Sequence, residues 1–353
     1  MEGEINNLIM VWTTVLCFLY YCHTINGIFP KPSFPRFFAI FPVACLFLVL
    51  PLNLTSIHLA GTSAFFIGWL ASFKVTLFAL ARGPLFANPP LPLSTFIPLA
   101  CLPIKVQRGR KVAGNLKVSG SLRKLGLLGL VMFVYNYKDF FHPKLLLLVY
   151  IIQMYVGLEF MLVMVSGLVR AVFRVELEPP FDEPHLSTSL QDFWGRRWNV
   201  AVTNILRPTV YEPVRSVSTR FLPKRLAQLP AVIASFAVSG IMHELVFFNI
   251  GRETPTGEVL SFFLLSGACV ALEIGVKRAV DRKFRLPGFV SGPLALTFVI
   301  LTSFWLFFPA FFRNKADGKA CAETLAFIEF VINHKLVSPE NMTCPSSFFF
   351  RYK

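Results

Sequence analysis

One pattern constrains this chain above all others. Runs of about 20 apolar residues, nearly free of charge, recur along it and are separated by basic stretches. A helix of that length crosses the hydrocarbon layer. Lipid offers no hydrogen bonds, so the backbone must satisfy its own. Eight such spans are predicted, at 8–26, 36–54, 61–81, 122–138, 144–172, 227–250, 258–276 and 288–312. The fourth is short and opens on Arg123 and Lys124. Composition agrees: 55% of the residues are hydrophobic and 15% charged, where a soluble domain carries about 25% charged residues. A disordered chain, a disulfide-rich secreted domain and an ordinary soluble enzyme are all excluded. The predicted fold is an all-α polytopic membrane protein, one integral-membrane domain over 1–353.

Two segments need a separate reading. Leu93–Ile104 is apolar but too short to span and carries Pro98 and Pro103, so a re-entrant or interfacial piece is predicted. The first run follows Glu2 and Glu4 rather than a basic region and has no clear small-residue cleavage site. It reads as a retained span, not a cleaved signal.

The formal net charge is +15. The cations lie mostly between the apolar runs, so topology explains them and nucleic acid is not implied. Lys31 and Arg36 follow the first span, and Arg82 and the cations of 105–124 follow the third. The loop 173–226 and the stretch 277–285 complete the alternation. The positive-inside rule places these loops in the cytosol and both termini in the lumen. If 93–104 crossed fully, everything after it would invert. Asn341-Met342-Thr343 is then a lumenal glycosylation sequon or a chance triplet. Cys321 and Cys344 share that oxidising side and are able to pair. The other five cysteines sit in or beside apolar runs and read as small core residues.

Chemistry is sought where charge is expensive. His243 lies inside an apolar run, in Ser239-Gly240-Ile241-Met242-His243-Glu244. An ionisable residue in a span usually faces the bundle interior or a cavity. Ser239 and Gly240 share its helical face and leave room for a substrate. An imidazole takes a proton from a hydroxyl and returns it to a leaving group. The alternative is a packed histidine bonding across helices. Glu244 points about 100 degrees away on a regular helix, so a partner on another span or a loop arginine is expected for it. A zinc-protease motif would need histidine at Phe247, and no metal site is predicted.

The second constellation is Asp192-Phe193-Trp194-Gly195-Arg196-Arg197-Trp198-Asn199. On a helix Trp194 and Trp198 stack, while Arg196 and Asn199 share a neighbouring face. Arginine binds phosphate bidentately, and an asparagine amide orients a base or donates to an oxyanion. The alternative is an interfacial helix with snorkelling arginines. Lys74 and Glu159 are read as a structural ion pair across helices or as snorkelling ends. The nucleophile elbow, the phosphate-binding loop and the dinucleotide fingerprint are all absent from the sequence. No 20–50-residue repeat and no inverted repeat is visible either, which weakens a transporter reading.

These residues carry a resemblance. Ser187-Thr-Ser-Leu-Gln-Asp-Phe-Trp-Gly-Arg-Arg-Trp-Asn199 and Ile205-Leu-Arg-Pro-Thr-Val-Tyr-Glu-Pro-Val-Arg215 resemble the plant wax synthases. So do Val238-Ser-Gly-Ile-Met-His-Glu-Leu-Val-Phe-Phe248, Pro51–Leu59 and Arg82-Gly83-Pro84-Leu85. These are long-chain-alcohol O-fatty-acyltransferases of the membrane-bound O-acyltransferase superfamily. The resemblance extends over nearly the whole length. It implies a helical bundle around a tunnel for acyl-CoA and acceptor, in the endoplasmic reticulum membrane. It implies wax ester formation from fatty acyl-CoA and a long-chain alcohol, with acyl-CoA a co-substrate and no other cofactor. His243 maps to the family's catalytic histidine and Asn199 to its motif asparagine. Arg196 and Arg197 become candidates for the CoA phosphates, and Trp194, Trp198, Ser239 and Gly240 for substrate contacts. An acyl-enzyme on Ser239 is conceivable, but back-bonding of its hydroxyl within the helix is the expectation. The same scaffold serves sterol acceptors, so a sterol O-acyltransferase is the alternative. A non-enzymatic lipid carrier or scaffold is the third reading. Oligomeric state is not readable.

Overall fold

A computed structural model describes residues 2–103, 181–279, 286–335 and 337–342, with 151–159 and scattered positions between 126 and 171. Most of the expected spans 122–138 and 144–172, with the basic stretch 105–124, Thr343 and Cys344, lie outside the described residues. Cys321 is disulfide-bonded.

Among the described residues six helices are long and apolar enough to cross a membrane. They coincide with six of the eight expected spans, and the protein is a polytopic, all-helical membrane protein. The first is α1 (Glu2–Ile28). Next comes α2 (Phe34–Val49), begun by the Ser33 side chain accepting from Arg36 N–H. The third, α3 (Ile57–Ser63), is capped by Ser56 and runs on through Ala64–Ala71 and Ser72–Ala79. Short α4 (Leu93–Cys101) fits the expected re-entrant piece. Then follow α5 (Gln228–Gly251), α6 (Glu258–Ala279) and α7 (Gly288–Thr302), the last continuing through Ser303–Phe307 and Phe308–Arg313. The chain closes with α8 (Ala316–Asn333).

Among the described residues four segments wind wider than an α-helix: Ala64–Ala71, Phe193–Arg197, Arg207–Tyr211 and Ser303–Phe307. Each π-turn inserts one extra residue into the helical register.

Small residues bring helices together where lipid supplies no hydrophobic drive. A Cβ on Gly240 would lie 2.9 Å from Leu260 Cδ1 and 3.2 Å from Phe263 Cβ. One on Gly267 would lie 2.7 Å from Phe236 Cβ. These two glycines set the close approach of α5 and α6. The space beside Gly240 is therefore filled by α6 rather than left open for substrate, which corrects the sequence expectation.

Buried charge is handled by backbone. Lys74 Nζ donates to the Leu99 carbonyl at 2.7 Å and to that of Leu102, capping the C-terminal end of α4. Glu159 instead holds the Tyr155 hydroxyl. The expected Lys74–Glu159 pair does not form, because the carbonyls freed at the end of α4 reach the ammonium. Arg36 is fully buried and donates to the carbonyls of Phe78 and Phe29 and to Asn26 Oδ1.

The contacts sort the connections to two ends of the bundle. At one end Glu4 and Glu323 grip the α2–α3 link, and Arg252 donates to the Leu52 and Leu54 carbonyls. At the other end the basic connections gather. Lys277 reaches Ser189, Arg278 reaches the Arg225 carbonyl, and Ser291 donates to the Thr188 carbonyl at 2.6 Å.

Candidate active site

The motif between residues 181 and 218 is built from the backbone outward. Ser189, in extended conformation, caps a short turn and accepts from Asp192 N–H at 3.1 Å. Asp192 accepts in turn from Thr188 N–H at 3.1 Å and from Arg197 Nε at 2.9 Å. Burial pushes the Asp192 carboxyl up, but the Thr188 and Arg197 hydrogen bonds outweigh it and hold the group below its usual range. The Arg197 guanidinium also donates to the carbonyls of Asp182 and Glu183. Arg197 is thus engaged in building the loop.

The wide turn Phe193–Arg197 closes with Trp198 N–H on the Phe193 carbonyl at 2.9 Å. That spacing lays Trp198 parallel on Phe193, with centroids 5.4 Å apart and planes at 16°. Trp194 meets Trp198 edge-on instead, at 6.5 Å and 75°. The stack expected between the two tryptophans is displaced by one residue, because the turn is π rather than α.

Asn199 follows in the left-handed region (φ 43, ψ 62), a conformation asparagine tolerates better than most residues. Its Oδ1 accepts from Val202 N–H at 3.4 Å and caps the helix Val200–Leu206. With Oδ1 taken, the amide nitrogen is the group left to donate. The whole motif is seated on α6 and α7. Gln191 N–H donates to Glu273 at 3.2 Å, and Lys277 Nζ to Ser189 Oγ at 3.2 Å. A Cβ on Gly292 would stand 2.4 Å from the Ser187 carbonyl oxygen, so only glycine fits there.

His243 is fixed from its own helix. Its Nδ1 lies 2.8 Å from the Ser239 carbonyl. A carbonyl only accepts, so Nδ1 carries the hydrogen and Nε2 of the neutral ring carries the lone pair. Three aromatic rings enclose the imidazole. Phe263 stacks at 4.3 Å and 27°, Trp69 meets it edge-on at 5.0 Å, and Phe307 lies at 6.0 Å. Glu244 turns away and accepts from Leu260 N–H at 3.1 Å, beside the start of α6. Its partner lies on another span, as expected, and is a backbone amide rather than a side chain. The Ser239 hydroxyl takes no hydrogen bond among the described residues, where Ser235 bonds back to Ala231. Back-bonding of Ser239 was the sequence expectation; its carbonyl is the group in use.

A cavity of about 630 Å³ connects these parts. One wall is the α5 stripe Gln228, Val232, Ser235, Ser239 and His243. The facing wall is the α6 stripe Phe263, Val270, Ile274 and Lys277. The fifteen helical rises from Gln228 to His243 give a depth of roughly 22 Å. Trp194, Arg196, Trp198 and Asn199 line it; Arg197 and Gly240 do not. The structure therefore brings six of the eight candidate residues to one cavity. It adds Arg207, Tyr211, Arg215 and Lys277, which sequence reasoning passed over. The four-residue spacing of Arg207, Tyr211 and Arg215 was the available signal. Lys277 was visible only as the cation that ends a span.

Comparison with known proteins adds relatives. Residues 177–265 match the Membrane bound O-acyl transferase family. The chain is 42% identical over 334 residues to Acyl-CoA–sterol O-acyltransferase 1 of Arabidopsis thaliana, covering 92% of this chain and 96% of that protein. It is 42% identical over 337 residues to Probable long-chain-alcohol O-fatty-acyltransferase 1 of the same plant, covering 93% and 98%. To the Long-chain-alcohol O-fatty-acyltransferase of Simmondsia chinensis it is 38% identical over 332 residues, covering 91% and 94%.

Proposed function

The chain belongs to the membrane bound O-acyl transferase family, and on that premise we propose that it transfers a fatty acyl group from acyl-CoA to a long-chain alcohol. The products are a wax ester and free CoA. The observation that carries the chemistry is the imidazole of His243, with Nδ1–H held by the Ser239 carbonyl and Nε2 left as base at the deep end of the cavity.

The acceptor's O–H proton passes to His243 Nε2 as its oxygen attacks the thioester carbonyl carbon. The carbonyl oxygen takes negative charge, and the Asn199 amide, which lines the same cavity as His243, is the donor assigned to it. As the C–S bond breaks, the imidazolium returns the proton to sulfur, and the acyl group leaves on the acceptor oxygen. Arg196, with Arg207, Arg215 and Lys277, offers cations at the shallow end for the CoA phosphates. Trp194, Trp198 and Phe263 supply apolar walls for the acyl chain. We assign Arg197 to the loop and Gly240 to helix packing. The whole chain serves as one integral-membrane acyltransferase unit, with 173–226 as its cytosolic motif loop and the endoplasmic reticulum as its membrane.

The test is His243→Ala in microsomes fed labelled acyl-CoA and hexadecanol. Ester formation is expected to fall by roughly 10²- to 10⁴-fold at normal protein level. A well-expressed variant with wild-type activity would overturn the assignment. The 42% identity to a sterol O-acyltransferase favours one second reading, a sterol acceptor. Supplying a sterol in place of hexadecanol separates the two, since one base serves either hydroxyl.

A further inference from the structure

The helix Glu212–Ser218 and the turns that follow it form an exposed knuckle among the described residues. Phe221 is 81% exposed, Val217 52% and Leu226 45%. Arg220, Lys224 and Arg225 alternate with these apolar side chains, and no acidic residue occurs between Pro213 and Met242. The Arg278 guanidinium, on the Arg225 carbonyl, brings a further cation to the same place.

Position decides what such a surface meets. Gln228 begins a membrane-crossing helix, so residues just before it lie at the boundary between headgroups and acyl chains. Apolar side chains there enter the acyl boundary while cations meet headgroup phosphates. Arg215 and Gln228, which flank residues 216–227, both line the cavity. The knuckle is therefore also the lip of the cavity mouth.

We propose that residues 216–227 are a docking surface for anionic phospholipid headgroups, seated in the membrane interface and setting the cavity lip. The cations of the lip are distinct from those that line the cavity, and their partner is the bilayer rather than CoA.

The full-length protein in neutral detergent is titrated with phosphatidylinositol or phosphatidylcholine, and bound lipid is counted by native mass spectrometry. The same protein in phosphatidylcholine nanodiscs, with and without phosphatidylinositol, is assayed for acyl transfer; only this second arm rests on the proposed function. Wild type is expected to retain phosphatidylinositol selectively. Arg220→Gln/Lys224→Gln/Arg225→Gln is expected to bind it at least about tenfold more weakly, with acyl-CoA KM in neutral discs unchanged. Lys31→Gln/Arg82→Gln, from other basic links, is expected to behave as wild type. Selective retention by the triple variant overturns the proposal, as does equal loss in the control. A raised acyl-CoA KM in neutral discs also overturns it, and gives these cations to CoA. If wild type transfers no acyl group, the proposed function fails and the binding arm still decides the lip.

Discussion

The two ends of this bundle treat charge in opposite ways. At the end that holds the α2–α3 link, carboxylates are fully engaged. Glu4 accepts from Thr55 N–H, Thr55 Oγ1 and Ser56 N–H. Glu323 accepts from Ser56 Oγ, from the Ile57 and His58 amides and from His58 Nδ1. At the other end Arg196 and Arg215 face a cavity, Lys277 lines it while paired with Glu273, and among the described residues Arg207 meets an exposed carboxylate, Glu212, at 3.4 Å. The closed end holds helices together through charge-assisted hydrogen bonds. The open end concentrates positive charge and leaves an anion to complete it. One set of helices thus carries a lock and a receptor, and substitutions at the two ends should separate in kind.

The largest effect belongs to the open end. Asn199→Ala is expected to lower the acyl-transfer rate by roughly 10²- to 10³-fold, the usual cost of losing one oxyanion donor. The helix cap lost with it costs only about 1 kcal/mol. A fall in thermal stability without a fall in rate would reduce Asn199 to its cap. Gly292→Ala comes next. The new methyl group pushes on the Ser187 carbonyl, and overpacking of this kind costs roughly 1–3 kcal/mol. Thermal unfolding in detergent reads that cost, and the rate should drop with it because the motif loop is displaced.

At the closed end the outcome reverses. Burial pushes the Glu323 carboxyl up, but hydrogen bonds from His58, Ser56 and Ile57 outweigh it and hold the group below its ordinary value of 4.5. A depressed carboxyl stabilises the fold fully above its unfolded value, and that contribution is lost as pH falls through the lower folded value. Wild-type melting temperature should therefore decline on acidification below about pH 4.5. Glu323→Gln should start roughly 1–2 kcal/mol lower and decline less, with turnover kept. The smallest effect is expected for Glu258→Gln, which removes a partly exposed pair with Arg313. Such pairs contribute about 0–1 kcal/mol. A large loss of stability there would blur the distinction between the ends.

The spans were legible because hydrocarbon thickness and apolar content set them with little help from detail. The six described spans start and end within a few residues of their sequence reading. His243 was legible for the same reason, since an imidazole in such a run needs a purpose. Other features depended on distances that spacing does not encode. Gly240 advertised a gap, and Leu260 and Phe263 fill it. Lys74 advertised an ion pair, and two carbonyls of α4 reach it first. Trp194 and Trp198 stand four apart, which is a stack only in an α-helix.

All four π-turns among the described residues supply the site. Trp69 and Phe307, which touch His243, sit in two of them. Trp194 and Arg196 sit in the third, Arg207 and Tyr211 in the fourth. Each inserted residue breaks phase between the helix before it and the helix after it, and the side chains of the candidate site occupy the breaks. Deleting one residue from Ser303–Phe307 would leave an equally apolar and straighter helix. It would also swing every side chain beyond the deletion by about 100 degrees, taking Phe307 off the imidazole. The proposed site is written in out-of-phase positions, so an indel of one residue is a sharper probe of it than many substitutions.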